Sequence, residues 1–185
     1  MTAAHDEAEL LALIRERSYR RGKFKLASGA ESDRYFNLKP TMMDPKGAYL
    51  AARTFIDRIL PENVDYVGGL EMGAVPVIGA LAAVSQSEGR PIRTFFVRKA
   101  AKDHGTQQVL EGMGPGESLA GRRVMALDDV ATSGGSILKA VEAARAAGAV
   151  VDVALVLLDR EEGASENLAR QGVRLLSVLR ASQFD

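Results

Sequence analysis

Residues 151–158 read VDVALVLL, an apolar run with a single acid in it. A strand of that composition must be covered on both faces, which is the situation of a strand inside a parallel sheet. Segments of the same kind alternate with helical patterns along the chain. Strand-like stretches are expected at 65–70, 92–98, 123–127, 150–158 and 173–179. Helical stretches are expected at 79–87, 135–147 and 164–171. Alternation of this sort implies an α/β fold, a mostly parallel central sheet with flanking helices.

Upstream the pattern differs. Leu10, Leu13, Ile14 and Arg17 fall at helical spacing, and Gly22 offers a stop, so a helix is expected over about 6–20. The stretch FKLASGAESDRYFNLK (24–39) reads as two short strand-like pieces interrupted by Gly29, Ser32 and Asp33. A second helix opens at Pro45, carries Tyr49, Leu50, Ala52, Arg53, Phe55, Ile56 and Ile59, and runs out before Pro61. Residues 99–118 hold Lys99, Lys102, His104, Pro115 and four glycines, with little apolar periodicity. A long loop inside a compact domain usually serves function, here as a lid.

The chain of 185 residues suits one domain with a full core. Basic and acidic residues both number 24, so the net charge is zero. That balance disfavours nucleic acid as the main partner, because phosphate-backbone binding needs a net basic face. Cysteine is absent, which excludes disulfides and thiolate metal sites. The first residues lack the continuous apolar core of a signal peptide. The apolar stretch AVPVIGALAAV (74–84) is broken by Pro76 and Gly79 and is too short to span a bilayer. A cytoplasmic protein without a membrane partner is expected.

Chemistry concentrates in VMALDDVATSGGS (124–136). VMAL is a strand, Asp128 and Asp129 sit at its carboxyl end, and a helix follows the glycines. Ligands of open α/β sheets bind outside the carboxyl ends of the strands. Thr132, Ser133, Gly134, Gly135 and Ser136 place small side chains and backbone amides before a helix N-terminus, a geometry that holds phosphate. Two acids beside an anion site need a partner of their own. Vicinal sugar hydroxyls would donate to them, and a divalent cation between acid and phosphate is the other option. Neither GK[ST] nor GxGxxG occurs here, which disfavours a Walker loop and a dinucleotide site. Ordinary turn and N-cap chemistry explains one acid but not two acids followed by five small or hydroxyl residues.

This segment resembles the phosphoribosyl-pyrophosphate signature of type I phosphoribosyltransferases. FKLASGAESDRYFNLK, VGGLEMGAVPVIGAL (67–81), VRKAAKDHGT (97–106) and LDREEG (158–163) resemble the orotate branch of that family, in the family's order. The resemblance implies the type I phosphoribosyltransferase fold over 1–185. It comprises a small N-terminal hood of roughly 1–40 with C-terminal contributions, and a flexible catalytic loop at roughly 99–116. It implies transfer of the 5-phosphoribosyl group from phosphoribosyl diphosphate (PRPP) to orotate, with Mg²⁺ as cofactor. It also implies a homodimer in which the loop acts in trans.

The resemblance distributes roles as follows. Asp128, Asp129, Val130, Ala131, Thr132, Ser133, Gly134, Gly135 and Ser136 would hold the ribose phosphate of PRPP. Arg98, Lys99, Lys102 and His104 would serve the diphosphate, with Lys102, His104, Asp128 and Asp129 as the catalytic set. Arg160, Thr132, Tyr35, Phe36 and Ser28 would hold orotate, although Arg160 beside Glu161 and Glu162 also suits a simple ion pair. Mg²⁺ would ride mainly on the diphosphate and ribose, with Asp128 or Asp129 as the protein's own candidates. Two lysines of some relatives are absent, at Ala27 and within the segment of Glu71, Met72 and Gly73. Either Lys25 and Lys39 compensate or more of the task falls on Arg98 and the loop, and a glycine-rich turn at Gly73 is expected to bring backbone amides to the diphosphate. The rivals are a purine or uracil phosphoribosyltransferase and a non-catalytic PRPP sensor.

Overall fold

The computed structural model describes residues 3–25, 31–100 and 109–185. Six strands form one sheet in the order β5-β4-β3-β6-β7-β8. These are β3 (Tyr66–Leu70), β4 (Arg93–Val97), β5 (Leu110–Glu111), β6 (Arg123–Ala131), β7 (Val150–Asp159) and β8 (Arg174–Arg180). All pairings are parallel except β4 with the two-residue β5. The expected α/β architecture, mostly parallel with flanking helices, is therefore what the chain adopts.

Strand alternation sorts the core into two layers. Met125, Leu127, Val153 and Leu155 belong to a cluster with Leu10, Ile14, Leu50, Phe55 and Leu81. Those last come from α1 (Ala3–Arg17), α3 (Pro45–Ile59) and α4 (Val75–Ser87). Val124, Ala126, Ala154 and Val156 belong to the opposite cluster with Ile137, Ala140, Val141 and Leu168. These come from α5 (Gly135–Ala146) and α6 (Ala164–Ala169). In α5 the buried residues Ile137, Ala140, Val141 and Ala144 make a single stripe at i, i+3, i+4 and i+7.

A separate hairpin, β1 (Tyr19–Lys25) with β2 (Glu31–Phe36), lies N-terminal to the sheet. It joins the body through aromatic rings: Phe184 lies 5.1 Å from Phe36 and 5.4 Å from Tyr19, centroid to centroid. Phe184 ends a short 3-10 turn (Ala181–Phe184) at the C-terminal end of the chain.

Several boundaries shift from expectation for local reasons. The first helix stops at Arg17, because Tyr19 already pairs with Phe36. The third long helix, α4, starts at Val75 rather than at 79, since Pro76 fits a helix's first turn. A short α2 (Lys39–Met42) precedes α3. The region 99–118 carries the edge strand β5, held by Phe96↔Glu111 and Val97↔Leu110 pairing.

Candidate active site

β6 does not stop at Leu127. It continues through both aspartates to Ala131, because Asp128, Val130 and Ala131 pair with Val156, Leu158 and Asp159 of β7. The two carboxylates stay close together at this strand end, each with its own hydrogen-bond donors. Asp128 lies on the face of Val124 and Ala126, toward α5, where the Ser136 hydroxyl donates to its Oδ2. The Asp129 N–H donates to Asp128 Oδ1 at 2.9 Å. Asp129 Oδ1 accepts from the Val130 N–H, also at 2.9 Å, and its side chain is less deeply buried.

Burial leaves Asp128 only 4% exposed. That burial, reinforced by the neighbouring charge of Asp129, pushes its carboxyl up to about 7 against an ordinary 3.8; the bond from Ser136 opposes the rise. A carboxyl so perturbed at a strand end is a mark of a functional site.

Past Ala131 the chain turns through Thr132, Ser133 and Gly134 into α5. Gly134 caps that helix at φ 82°, a left-handed conformation that only glycine adopts without cost. The first amides of α5 have no carbonyl partner within the helix, so they and the helix dipole favour an anion here.

The turn from β3 into α4 faces this site. A Cβ on Gly73 would lie 2.7 Å from Asp129 Oδ1 and 2.8 Å from Asp128 Oδ1. Only a glycine lets the backbone approach both acids so closely. The same turn contains the cis peptide Glu71–Met72. Gly73→Ala should therefore displace the carboxylates and raise the KM for the phosphoribosyl donor that the sequence resemblance implies by about tenfold or more. Steady-state kinetics on the folded variant check this, and an unchanged KM would remove the close approach from the binding account.

Glu71 connects the turn to the next strand end. Its Oε1 accepts the Lys99 N–H at 2.9 Å. Arg98 stands at the base of the expected loop, with Nε donating to the Ala100 carbonyl at 3.3 Å and its guanidinium 3.8 Å from Glu111. Lys102, His104, Ser28, Gly29 and Ala27 lie outside the described residues.

Arg160 follows β7, and its N–H donates to the Ala131 carbonyl at 2.9 Å, which sets it beside the end of β6. The side chain is 8% exposed. Its guanidinium meets Glu162 Oε1 at 2.7 Å and lies 5.9 Å from the centroid of Phe36. The ion pair weighed for this arginine is thus present, and so is its position at the sheet edge beside the aspartates.

The pair Tyr35–Phe36 is divided by the pleat. Phe36 turns inward beneath Arg160, while Tyr35 is 41% exposed and stacks on Phe24 at 5.2 Å. Lys39 opens α2 as an exposed residue, and its N–H donates to Asn37 Oδ1 at 3.3 Å. Phe184 and the bond from Ser136 to Asp128 were not visible in the sequence pattern. Gly73 was visible, as a glycine in a turn that replaces a lysine.

Among the described residues no group of three His, Cys, Asp or Glu could hold a metal, and no helix is long and apolar enough to cross a membrane. A hollow of about 640 Å³ lies elsewhere, between residues 109–119 and Ala143 and Ala146 of α5 with Ala147 just beyond it.

Residues 45–173 match the phosphoribosyl transferase domain family. The chain is 50% identical over 184 residues to an orotate phosphoribosyltransferase of Rhodopseudomonas palustris, covering 100% of this chain and 98% of that one. The structure superposes on Mycobacterium tuberculosis orotate phosphoribosyltransferase in complex with Fe(III) dicitrate with a TM-score of 0.83. That pair shares 36% identity, over 97% of this chain and 98% of that one. A structure of the Mycobacterium tuberculosis enzyme in complex with PRPP matches at a TM-score of 0.78 and 29% identity, over 99% and 96% of the two chains. With its aspartate pair at the end of β6, its glycine turn against them and its arginine at the next strand end, the chain belongs to the orotate phosphoribosyltransferases of the phosphoribosyltransferase family.

Proposed function

We propose that this enzyme transfers the 5-phosphoribosyl group of PRPP to orotate, giving orotidine 5′-phosphate and diphosphate in the synthesis of UMP. The observation that carries the reading is the Asp128–Asp129 pair, with Asp128 buried, at the end of β6 before the N-terminus of α5, and with Arg160 at the end of the next strand. The names of its relatives point the same way, and one similar structure is a complex with PRPP.

The amides and hydroxyls of Thr132–Ser133–Gly134–Gly135 receive the ribose 5-phosphate at the helix N-terminus. Asp129, the less buried acid, accepts from the ribose hydroxyls. Both carboxylates lie on the side where C1 gains positive charge as the diphosphate departs. Arg160 offers a planar donor fork to the carboxylate or carbonyl edge of orotate, with Phe36 beneath it and Thr132 and Ser28 as further donors. Arg98 and Lys99 at the foot of the loop, and Lys102 and His104 further along it, offset negative charge on the leaving group. Orotate is an anionic nucleophile, so the residues orient it and exclude water and no covalent enzyme intermediate is required.

The donor set fits magnesium: two hard carboxylates beside a diphosphate site are the usual surroundings of an ion held largely by substrate oxygens. When bound, Mg²⁺ supplies charge neutralisation on the diphosphate, with Asp128 or Asp129 as its protein ligand. The working form is a cytoplasmic homodimer, in which the loop of one subunit completes the site of the other.

The test of the activity is diphosphate release from PRPP and Mg²⁺ with one base at a time. Turnover with orotate and little with uracil, adenine, guanine or hypoxanthine is expected. Preference for a purine would overturn the base assignment, and no turnover with any base would favour a PRPP sensor. Lys102→Ala should lower kcat by about 10²-fold or more while orotate KM stays within about threefold. In mixed dimers with Asp129→Asn subunits, some activity should return. None in verified mixed dimers would place the loop's action within its own subunit.

A further inference from the structure

Ser136 closes the run of small residues expected to cradle phosphate, yet its hydroxyl is directed elsewhere. It donates to Asp128 Oδ2, while Oδ1 of the same carboxylate accepts the Asp129 N–H at 2.9 Å. A serine hydroxyl has one proton, so a hydroxyl donating to Asp128 has none left for a phosphate oxygen. Gly73 closes the third side, where a Cβ would sit 2.8 Å from Asp128 Oδ1. Asp128 is thus held from its own strand, from the first turn of α5 and from the β3–α4 turn.

Resting on the reading of 128–136 as the sugar-phosphate site, we propose that Ser136 is a positioning residue for Asp128 and not a phosphate ligand. Its hydroxyl ties the carboxylate on β6 to the helix whose amides hold the phosphate, so that sugar and phosphate are gripped by one rigid unit. The work divides between the acids. Asp128 is locked on both oxygens and buried, whereas Asp129 keeps Oδ2 for the ribose hydroxyls. The phosphate is held by backbone amides and by Thr132 and Ser133.

Ser136→Ala and Ser136→Thr distinguish the roles. The alanine variant is expected to lose about tenfold in kcat, the scale of a hydrogen bond to a charged group. Its dissociation constant for inorganic phosphate, measured by calorimetry, should stay within about twofold. Threonine retains the hydroxyl and should restore kcat to within about threefold. Ser136→Cys, a weak donor of similar size, carries the same test if the alanine variant does not fold. Phosphate binding weakened about tenfold with kcat retained would make Ser136 a phosphate ligand and overturn the proposal. No change in either quantity would overturn it as well. Turnover is followed with whichever base the wild type accepts, and phosphate binding requires no base. An error in the base assignment is therefore separable from an error here.

Discussion

Asp128→Asn combined with Asp129→Asn is expected to lower kcat by about 10³-fold or more while the protein remains folded. The substitutions keep the shape of both side chains. The Ser136 hydroxyl can accept as well as donate, so it retains a partner when Asp128 Oδ2 becomes an amide nitrogen. In the proposed mechanism, what disappears is negative charge beside C1, at the moment when the departing diphosphate leaves positive charge on the sugar. Loss of an oriented group of this kind from a water-poor site costs more than the same group would contribute in water. The check is a steady-state assay with circular dichroism on the same sample. Retained turnover in the folded double variant would remove both carboxylates from the mechanism.

The same burial that makes Asp128 useful makes it costly to the fold. Its carboxyl titrates at about 7 in the folded protein, above the ordinary 3.8, because of burial first and the charge of Asp129 second. Between those values the folded chain holds a proton that the unfolded chain has released. This group's contribution to stability therefore falls as the pH rises from about 4 to 7, and stays lowered above that. An asparagine side chain in the same place does not titrate. Asp128→Asn alone should raise unfolding free energy by about 2–4 kcal/mol at pH 8, with the gain shrinking toward zero near pH 4. Denaturant unfolding at the two pH values measures this. A variant less stable than the wild type at pH 8 would show that the carboxylate is stabilised rather than strained by its surroundings. Stability recovered on removing an active-site charge, together with lost turnover, is the trade-off expected of a site built for function.

Much of the sheet was legible, because apolar strands such as VDVALVLL and helices with i, i+3, i+4 stripes follow from burial on two faces. The end of β6 was not. Asp128 and Asp129 look like loop residues by composition, and only pairing with β7 keeps them in the strand. Inside the strand each acid gains its own donors, and both remain against the turn at Gly73. The start of α4 was displaced because Pro76 was read as a break rather than as a first-turn residue. In the candidate site, the position of the glycine turn before α5, of the aspartates at the end of β6 and of Arg160 after β7 was recognisable from residue type and order. The support for Phe36 was not, because Phe184 reaches it from the far end of the chain and carries no local pattern. Tyr35 and Phe36 were paired by adjacency, whereas β2 turns neighbours to opposite sides.

The central claim is that the β6–α5 turn holds the ribose phosphate while the aspartates hold the sugar. A crystal structure of the enzyme with PRPP and Mg²⁺ tests it most directly. The account predicts the 5-phosphate on the amides of residues 132–135, the ribose hydroxyls on Asp129, and the Ser136 hydroxyl still on Asp128. A phosphate bound elsewhere, or ribose hydroxyls turned away from both carboxylates, would contradict it.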